Sequence, residues 1–438
     1  MSIEKQLRKY IMPNIFAMVG VSCYVIADTF FISIAAGSNG ITALNLVLPV
    51  FGLIYALGAM IGIGSATRYS LRKALGEKDV NRYFTNSFVF TLVVSLVFVV
   101  LGIFVPGSVL RLLGADEVIM DTGLKYIRII LCFAPFFMIN FTVTSFVRND
   151  GSPNVAMAAT LVSGIFNIIF DYILMFPLGL GIVGAAYATA FSPVISMLIC
   201  MFHYCSKKNT IRFVKMVPSF KMFFSSCSLG VVAFVGEISS AVTTLAFNFI
   251  LLDIIGNVAV AAYGVIANIA IVGTALLNGV AQGLQPLASK VHGEGDEVSE
   301  KKINRHALVI GEIIAVLFVV VVIVFSSQLT TMFNSEKSVE LANYAEAGIK
   351  IYFTGFLIGA INIVRAGFYS ATDRAVESSI ISVSRGIVAI ILFAFALSKA
   401  FGITGIWMAF PASEAFTLVL SVIVIALRGK KKNLRNAQ

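Results

Sequence analysis

Long runs of apolar residues, separated by short polar segments, occupy almost the whole chain. A helix that crosses a lipid bilayer needs about 20 predominantly apolar residues, and twelve runs reach that length. The sequence therefore predicts an all-α polytopic membrane protein with twelve transmembrane helices. The predicted spans lie near residues 10–34, 41–66, 85–105, 123–147, 155–176, 181–204, 222–252, 257–281, 306–327, 346–371, 378–399 and 404–427.

Lysine and arginine predict how these helices are oriented. Most of the 32 basic residues fall before the first run or after an even-numbered run, in segments that share one side of the membrane. Arg374, between the tenth and eleventh runs, and Arg385, near the start of the eleventh, are counted with the inner connecting segments. Because cytoplasmic segments are enriched in Lys and Arg, we expect a multi-pass protein of the cell membrane with both termini cytoplasmic.

Composition narrows the classes of partner. The chain is 58% hydrophobic and 12% charged, whereas a soluble domain carries about 25% charged residues. The net charge of +10 is spread over short segments and does not form the clustered basic face of a nucleic-acid-binding module. We therefore expect the lipid bilayer and small organic molecules as partners, and no nucleic acid.

Two short motifs recur in the second half of the chain. Lys73–Asp79 reads KALGEKD and Lys290–Asp296 reads KVHGEGD, while Gly181–Gly184 (GIVG) is matched by Gly402–Gly405 (GITG). Both repeats are six runs apart, so the halves have the same topology and a pseudo-symmetry axis along the membrane normal.

This repetition predicts two pseudo-symmetric six-helix lobes around a central cavity. The N-lobe would comprise residues 1–215 with spans 1–6, and the C-lobe residues 216–438 with spans 7–12. The basic segment 207–221 would join them.

Two acids lie deep inside predicted spans. A charged side chain at the centre of a bilayer costs roughly 2.5–3.5 kcal/mol on insertion scales and usually marks an ion or substrate pathway. From the helical rise, Asp28 lies about 27 Å and Asp171 about 24 Å from the inner ends of their spans. Tyr24 and Asn167 each precede one acid by a helical turn, and Thr189 lies at a depth comparable to that of Asn167.

Such a group can work in two ways. Two carboxylates, an amide oxygen and a hydroxyl can bind a small hard cation such as Na⁺, with Asp28, Asn167, Asp171 and Thr189 as ligands. The same carboxyl pair can instead take up a proton. Alternatively, these side chains only join neighbouring helices by hydrogen bonds.

Three further residues stand out in the predicted spans. Glu237 and Glu414 are candidates for a proton or substrate site in the C-lobe, or for partners of nearby polar groups. Pro13 has the position of a first-turn helix proline. The sequence contains no GxxxxGK[ST] loop for ATP phosphates, so we expect transport to be driven by an ion gradient, with H⁺ or Na⁺ as coupling ion and no cofactor.

In these motifs the chain resembles the multidrug and toxic compound extrusion (MATE) family over nearly its whole length. The resemblance rests on the order and spacing of Pro13 with Tyr24-x-x-x-Asp28-Thr29, Phe146–Pro153, Asn167-x-x-x-Asp171, Gly181–Thr189 and Gln285-Pro286. It implies two six-helix lobes around a V-shaped cavity, and exchange of H⁺ or Na⁺ for organic, often cationic, compounds.

The resemblance also implies roles for single residues. Asp28 would be the coupling acid of the N-lobe, and Tyr24 would belong to its hydrogen-bond network. Pro13 would be the point at which span 1 bends. The cation or proton site would be completed by Asn167, Asp171, Thr189 and the carbonyl of Ala185.

For the C-lobe, the resemblance matches Glu237 to an acid that some family members use in span 7. Those members also carry an acid in span 10, and residues 352–372 contain none. The resemblance therefore favours coupling through the N-lobe over a second Na⁺ site in the C-lobe.

We therefore expect a monomeric secondary antiporter for multidrug efflux that works by alternating access and is not an enzyme. One alternative is a flippase for a lipid-linked precursor, whose cavity would need several basic residues to meet pyrophosphate. The other is an intramembrane enzyme that uses Asp28 and Asp171 as a catalytic aspartyl pair.

Overall fold

The computed structural model describes residues 3–113, 117–333 and 338–436, which are helical apart from short connections. The N-terminal half contains α1 (Ile3–Ala74), α2 (Asn81–Phe104), α3 (Pro106–Leu112), α4 (Glu117–Cys132), α5 (Ala134–Asn149), α6 (Pro153–Met175) and α7 (Gly181–Tyr204). The C-terminal half contains α8 (Phe220–Ile254), α9 (Asn257–Gly293), α10 (Glu297–Val324), α11 (Ser326–Phe333), α12 (Val339–Tyr352), α13 (Gly355–Ala371), α14 (Ala375–Val383), a π-helical turn (Ser384–Val388) and α15 (Ala389–Asn436).

The helices account for the predicted spans. Within the described residues, nine helical segments are long and apolar enough to cross a membrane, and there are eleven when two bent helix pairs are each counted as one span. One of the nine, Ala375–Ile425, covers two predicted spans and contains a non-helical residue, Gly402, between them. When the parts of this segment before and after Gly402 are counted as separate spans, the arrangement agrees with the twelve predicted spans.

Two predicted spans are bent rather than straight. In the fourth, α4 and α5 meet at an angle of 43°, and in the tenth, α12 and α13 meet at 48°. The first bend lies at Phe133, just before Pro135, which cannot donate the backbone hydrogen bond that would continue the helix. The second lies just before Gly355, where a Cβ would come within 3.0 Å of the Pro411 Cα. The bends occupy matching places in the two halves.

The Gly-Ile-x-Gly motif has the same geometry in both halves. Gly181 and Gly402 both adopt positive φ, +52° and +58°, a conformation that favours glycine. Three residues later, a Cβ on Gly184 would lie 2.8 Å from the backbone carbon of Leu174. A Cβ on Gly405 would likewise collide with the backbone of the preceding helix. The motif therefore marks a tight helix–helix turn in each half.

Residues 205–219 connect α7 to α8 without helix. Three side chains of α2 hold this connection by accepting hydrogen bonds from its backbone N–H groups. Asn81 Oδ1 accepts from Arg212, Thr85 Oγ1 from Val214 and Asn86 Oδ1 from Ser219, at 3.1, 3.0 and 2.8 Å. The segment between the halves is therefore fixed along α2.

The two halves pack together at the end of the molecule where α1 begins, which is called the N-terminal end below. Gly279 and Gly283, one helical turn apart on α9, let the two backbones approach closely. A Cβ on Gly279 would lie 2.7 Å from the Ile15 Cα, and one on Gly283 would lie 2.6 Å from the Ile11 Cα. Small residues at such spacing allow close helix packing in membranes.

Polar contacts join the halves at the same end. Arg68 donates to Asp373 Oδ1 at 2.6 Å and to the Ser225 carbonyl at 2.8 Å. Arg148 donates to Gln282 Oε1 at 2.9 Å. These contacts close the space between the halves at the N-terminal end.

Candidate functional site

The structure brings Asp28 of α1 and Asp171 of α6 together. Their carboxyl groups lie close enough to interact directly, although the two residues are far apart in sequence. Asp171 is fully buried and Asp28 is half-buried. Glycine permits this approach, since a Cβ on Gly164 would come within 3.0 Å of the Tyr24 ring. The similar depth expected from the helical rise is consistent with this contact.

Asn167 and Thr189 lie beside the pair. The Asn167 amide is buried, with its nitrogen 3.4 Å from Thr189 Oγ1. The opposite amide orientation fits its neighbours better, because Asn167 then donates to Asp171 Oδ2 and accepts from the Thr189 backbone N–H, both at 3.3 Å. Ala185 is fully buried one turn before Thr189 on α7. Their predicted roles in ion binding remain predictions.

Two tyrosines that the sequence analysis did not select complete the surroundings. Tyr55, from the second span of α1, lies close enough to interact with the Tyr24 hydroxyl. Tyr126 of α4 is buried and close enough to interact electrostatically with both Asp28 and Asp171. A tyrosine inside an apolar run needs a partner for its hydroxyl, which is the signal that could have identified both.

The group is chemically suited to holding one positive particle. Two carboxyl groups in contact cannot both ionise without strong repulsion, so they take up a proton between them. Amide, hydroxyl and carboxylate oxygens are also the ligands that hard cations prefer. Among the described residues, no cluster of three or more His, Cys, Asp or Glu side chains could hold a metal ion.

Pro13 is buried inside α1. It lies between Ile11 and Ile15, the residues that pack on Gly283 and Gly279 of α9. A helix proline removes one backbone hydrogen bond, so the start of α1 is locally weaker where it meets the other half. Its role as a bending point remains a prediction.

A cavity of about 220 Å³ lies between the start of α1 and the C-terminal helices. Glu237 is exposed on its wall. Aromatic side chains from three other helices, Tyr263, Tyr352 and Phe410, also line it. Such a mixture of apolar surface and few polar groups is typical of sites for organic ligands.

Arg385 also lines this cavity. We had expected Arg385 in a connecting segment on the inner side, and this expectation was wrong, because it lies in the π-helical turn within a candidate span. Its side chain forms an ion pair of 2.7 Å with Glu414, which is fully buried. Of the two predicted C-lobe acids, Glu237 therefore lies on the described cavity wall and Glu414 lies behind Arg385.

A second buried polar cluster lies outside the membrane-spanning segments, at the turn between α5 and α6. Asp150 accepts hydrogen bonds from Lys73 Nζ at 2.8 Å and from the Thr210 backbone at 2.7 Å, and it contacts His203 Nε2 at 3.0 Å. Burial disfavours the charged carboxylate, but the hydrogen bonds from Lys73 and Thr210 hold the pKa of Asp150 below its usual range. The cluster fixes the inter-lobe connection to the N-terminal half.

Relatives of this chain are exporters. The multidrug export protein MepA of Staphylococcus saprophyticus subsp. saprophyticus is 29% identical over 437 residues, which cover 98% of this chain and 95% of the relative. MepA of Staphylococcus haemolyticus is 29% identical over 440 residues, with the same shares of both chains.

Solved structures share the fold over almost the whole chain. A crystal structure of a MATE in complex with MaL6 superposes with a TM-score of 0.91 at 21% identity. The outward-facing conformation of a multidrug resistance MATE family transporter of the MOP superfamily superposes with a TM-score of 0.88 at 22% identity. Both comparisons cover 98% of this chain and 96% of the other.

A family description accounts for both halves. The MatE family model matches residues 13–173 and, a second time, residues 232–396. The matched segments together make up most of the chain and contain Asp28 and Asp171 in the first copy and Glu237 and Arg385 in the second. The chain therefore belongs to the MatE family.

Proposed function

We propose that this chain is a secondary transporter that exports organic compounds across the cell membrane in exchange for an ion bound at Asp28 and Asp171. The observation that carries the proposal is the close carboxyl pair between α1 and α6, inside candidate spans. Membership of the MatE family and the multidrug export relatives support the export of drugs. Both termini would be cytoplasmic.

We favour H⁺ over Na⁺ as the coupling ion. Two carboxyl groups that lie this close repel one another when both are ionised, and a proton on one of them removes this repulsion. Binding of Na⁺ would require both groups to ionise and to separate around the ion, with Asn167, Thr189 and the Ala185 carbonyl supplying further oxygens. The contact between Asp28 and Asp171 supports the protonated arrangement.

Coupling follows if protonation changes how α1 packs. A proton shifts the protein between two states only if it binds one of them more tightly. When both carboxyls are ionised, their repulsion drives α1 away from α6, and a proton restores the contact. The same helix carries Met18, Val21 and Val25 on the wall of the cavity that also holds Glu237, which is called the organic-ligand cavity below. Movement of α1 therefore changes that cavity directly.

The test is transport of a fluorescent dye into everted membrane vesicles, with proton and sodium gradients imposed separately. We expect a proton gradient to drive transport in the unmodified protein, and Asp28→Asn or Asp171→Asn to abolish it while the protein remains folded in the membrane. Asp253→Asn is the matched control, because Asp253 is an exposed acid in the last turn of α8. Transport driven by neither gradient, or full activity of Asp28→Asn, contradicts the proposal.

The two alternatives are less well supported. A flippase for a pyrophosphate-linked lipid needs several free basic groups, and on the described cavity walls Arg385 is the single basic side chain and is paired with Glu414. An aspartyl enzyme would need a carboxyl pair of the kind that Asp28 and Asp171 form. However, the family and the relatives are transporters and exporters.

A further inference from the structure

We infer that Glu414 determines the charge selectivity of the transporter by withholding the positive charge of Arg385 from the organic-ligand cavity. The inference rests on the proposed function only in taking this cavity as the place where a substrate binds. It concerns how ligands are chosen and does not depend on the coupling ion.

The contact between the two residues is that of a built ion pair. Arg385 Nη2 and Nε donate to Glu414 Oε1 at 2.7 and 3.0 Å, and Nε is also 3.3 Å from Oε2. Asn362 of α13 donates to Oε2 at 2.8 Å and to the Glu414 carbonyl at 2.9 Å. The Glu414 carboxylate is thus satisfied on both oxygens and is held in one position.

The local backbone serves this geometry. The π-helical turn Ser384–Val388 inserts an extra residue into the helix, and such insertions are frequent at functional sites. Gly386 lets this turn lie directly on α8, because a Cβ there would be 2.9 Å from the Ser239 Cβ. Gly359 leaves room for the carboxylate, with its Cβ position 3.4 Å from the Glu414 carboxyl carbon.

The ion pair between Arg385 and Glu414 determines the net charge of the cavity wall that a ligand contacts. On the described cavity walls, Glu237 is the acidic side chain and Arg385 the basic one, and the α1 residues on the opposite wall have no ionisable side chain. If Arg385 acted alone, it would cancel Glu237. Because Glu414 neutralises Arg385, a negative charge on Glu237 is uncompensated, and the cavity favours organic cations.

The experiment measures equilibrium binding to the purified full-length protein in detergent, without any ion gradient. The probes are tetraphenylphosphonium and tetraphenylborate, which have nearly the same shape and opposite charge. Each affinity is compared with that of the unmodified protein for the same ion, so that partitioning into detergent cancels. The binding measurement uses no ion gradient, so a result that contradicts the proposed ion exchange does not affect it.

Glu414→Gln keeps the shape of the side chain and frees the charge of Arg385. At an effective dielectric constant of about 20 and a distance on the order of 10 Å, one unit charge changes affinity roughly tenfold. We expect Glu414→Gln to weaken tetraphenylphosphonium binding and to strengthen tetraphenylborate binding, each by about that factor. Equal changes for both ions, or no change in a folded variant, would overturn the inference.

Removing one member of a buried ion pair can prevent folding, so the double variant Arg385→Gln with Glu414→Gln is a second test. It removes both charges together and leaves no buried carboxylate unpaired. If the ion pair contributes no net charge to the cavity, the ratio of the two affinities in the double variant equals that in the unmodified protein. A rise in this ratio in favour of the cation would show that Arg385 acts as a free positive charge, and would refute the inference.

Discussion

Gly283 offers the sharpest test of how the two halves separate. A Cβ at this position would lie 2.6 Å from the Ile11 Cα and 3.0 Å from the Tyr10 carbonyl oxygen, whereas carbon atoms prefer about 3.5–4.0 Å. In Gly283→Ala, α1 and α9 must therefore move apart by on the order of 1 Å. Both contacts are to backbone, so no side-chain rotation can relieve them.

The magnitude follows from the cost of overpacking. An extra methyl group in a well-packed contact costs about 1–3 kcal/mol, and this cost applies only while the halves touch at the N-terminal end. In the conformation in which they have separated there, the alanine meets no such backbone. The equilibrium should therefore shift towards the separated state by about 5- to 150-fold.

The shift can be measured with a cysteine at Ser289, which is fully buried on α9 near the same contact. In a background in which the five native cysteines are replaced by serine, Ser289→Cys should react with a charged maleimide only when this end opens. We expect Gly283→Ala to raise the reaction rate at least fivefold, in proportion to the population of the open state.

Gly264→Ala is the matched control on the same helix, because a Cβ at Gly264 meets no atom within 4 Å. When Gly264→Ala is combined with Ser289→Cys, the rate of maleimide labelling should stay unchanged. Equal rates in Gly283→Ala and Gly264→Ala, or acceleration by both, would refute the view that the α1–α9 backbone contact holds this end closed.

Two further predictions concern stability in detergent. Asp150→Asn should lower the melting temperature by a few degrees at neutral pH, because the low pKa of Asp150 means that its ionised form adds stability. That stability is lost as the pH falls through the lowered pKa, so the difference should shrink below about pH 4; a difference independent of pH would contradict this. Gly402→Ala should cost about 1–3 kcal/mol because φ is +58° and ψ is −135° there. Gly52→Ala, where a Cβ meets nothing within 4 Å, is its control, and equal melting temperatures would contradict the prediction.

Much of the fold could be predicted because it depends on local sequence. Apolar run length indicates a span, and the recurrence of the Gly-Ile-x-Gly motif indicates that the two halves repeat one another. The bends within the fourth and tenth spans were missed, although Pro135 and Gly355 lie beside them. Run length alone does not distinguish a straight span from two helices that meet at an angle.

The site was less predictable because its contacts join distant parts of the chain. Asp28 and Asp171 could be placed at similar depth from the helical rise, but depth does not say whether two helices are neighbours. Arg385 was misplaced because counting basic residues treats each one as solvated near the membrane surface. Its partner Glu414 compensates its charge inside a span, and this pairing becomes visible only when α15 is packed against the π-helical turn.

The repeat itself explains why the two halves have different chemistry. Asp171 lies ten residues before Gly181, and the residue in the same place before Gly402 is Leu392. Thr189 lies eight residues after Gly181, and its counterpart after Gly402 is Phe410, which lines the cavity. Backbone geometry is shared at the glycines, while the polar residues Asp171 and Thr189 have apolar or aromatic counterparts.

This asymmetry bears on mechanism. If both halves bound an ion, protonation of either could drive the transition, and a substrate would compete with a proton in each half. Here the carboxyl pair belongs to the N-terminal half, whereas the cavity wall with Glu237 and the neutralised Arg385 belongs largely to the C-terminal half. Helix α1 contributes to both, through Asp28 to the carboxyl pair and through Met18, Val21 and Val25 to the cavity wall. Under the proposed function, a proton and an organic ligand would therefore influence one another through a single helix without competing for the same atoms.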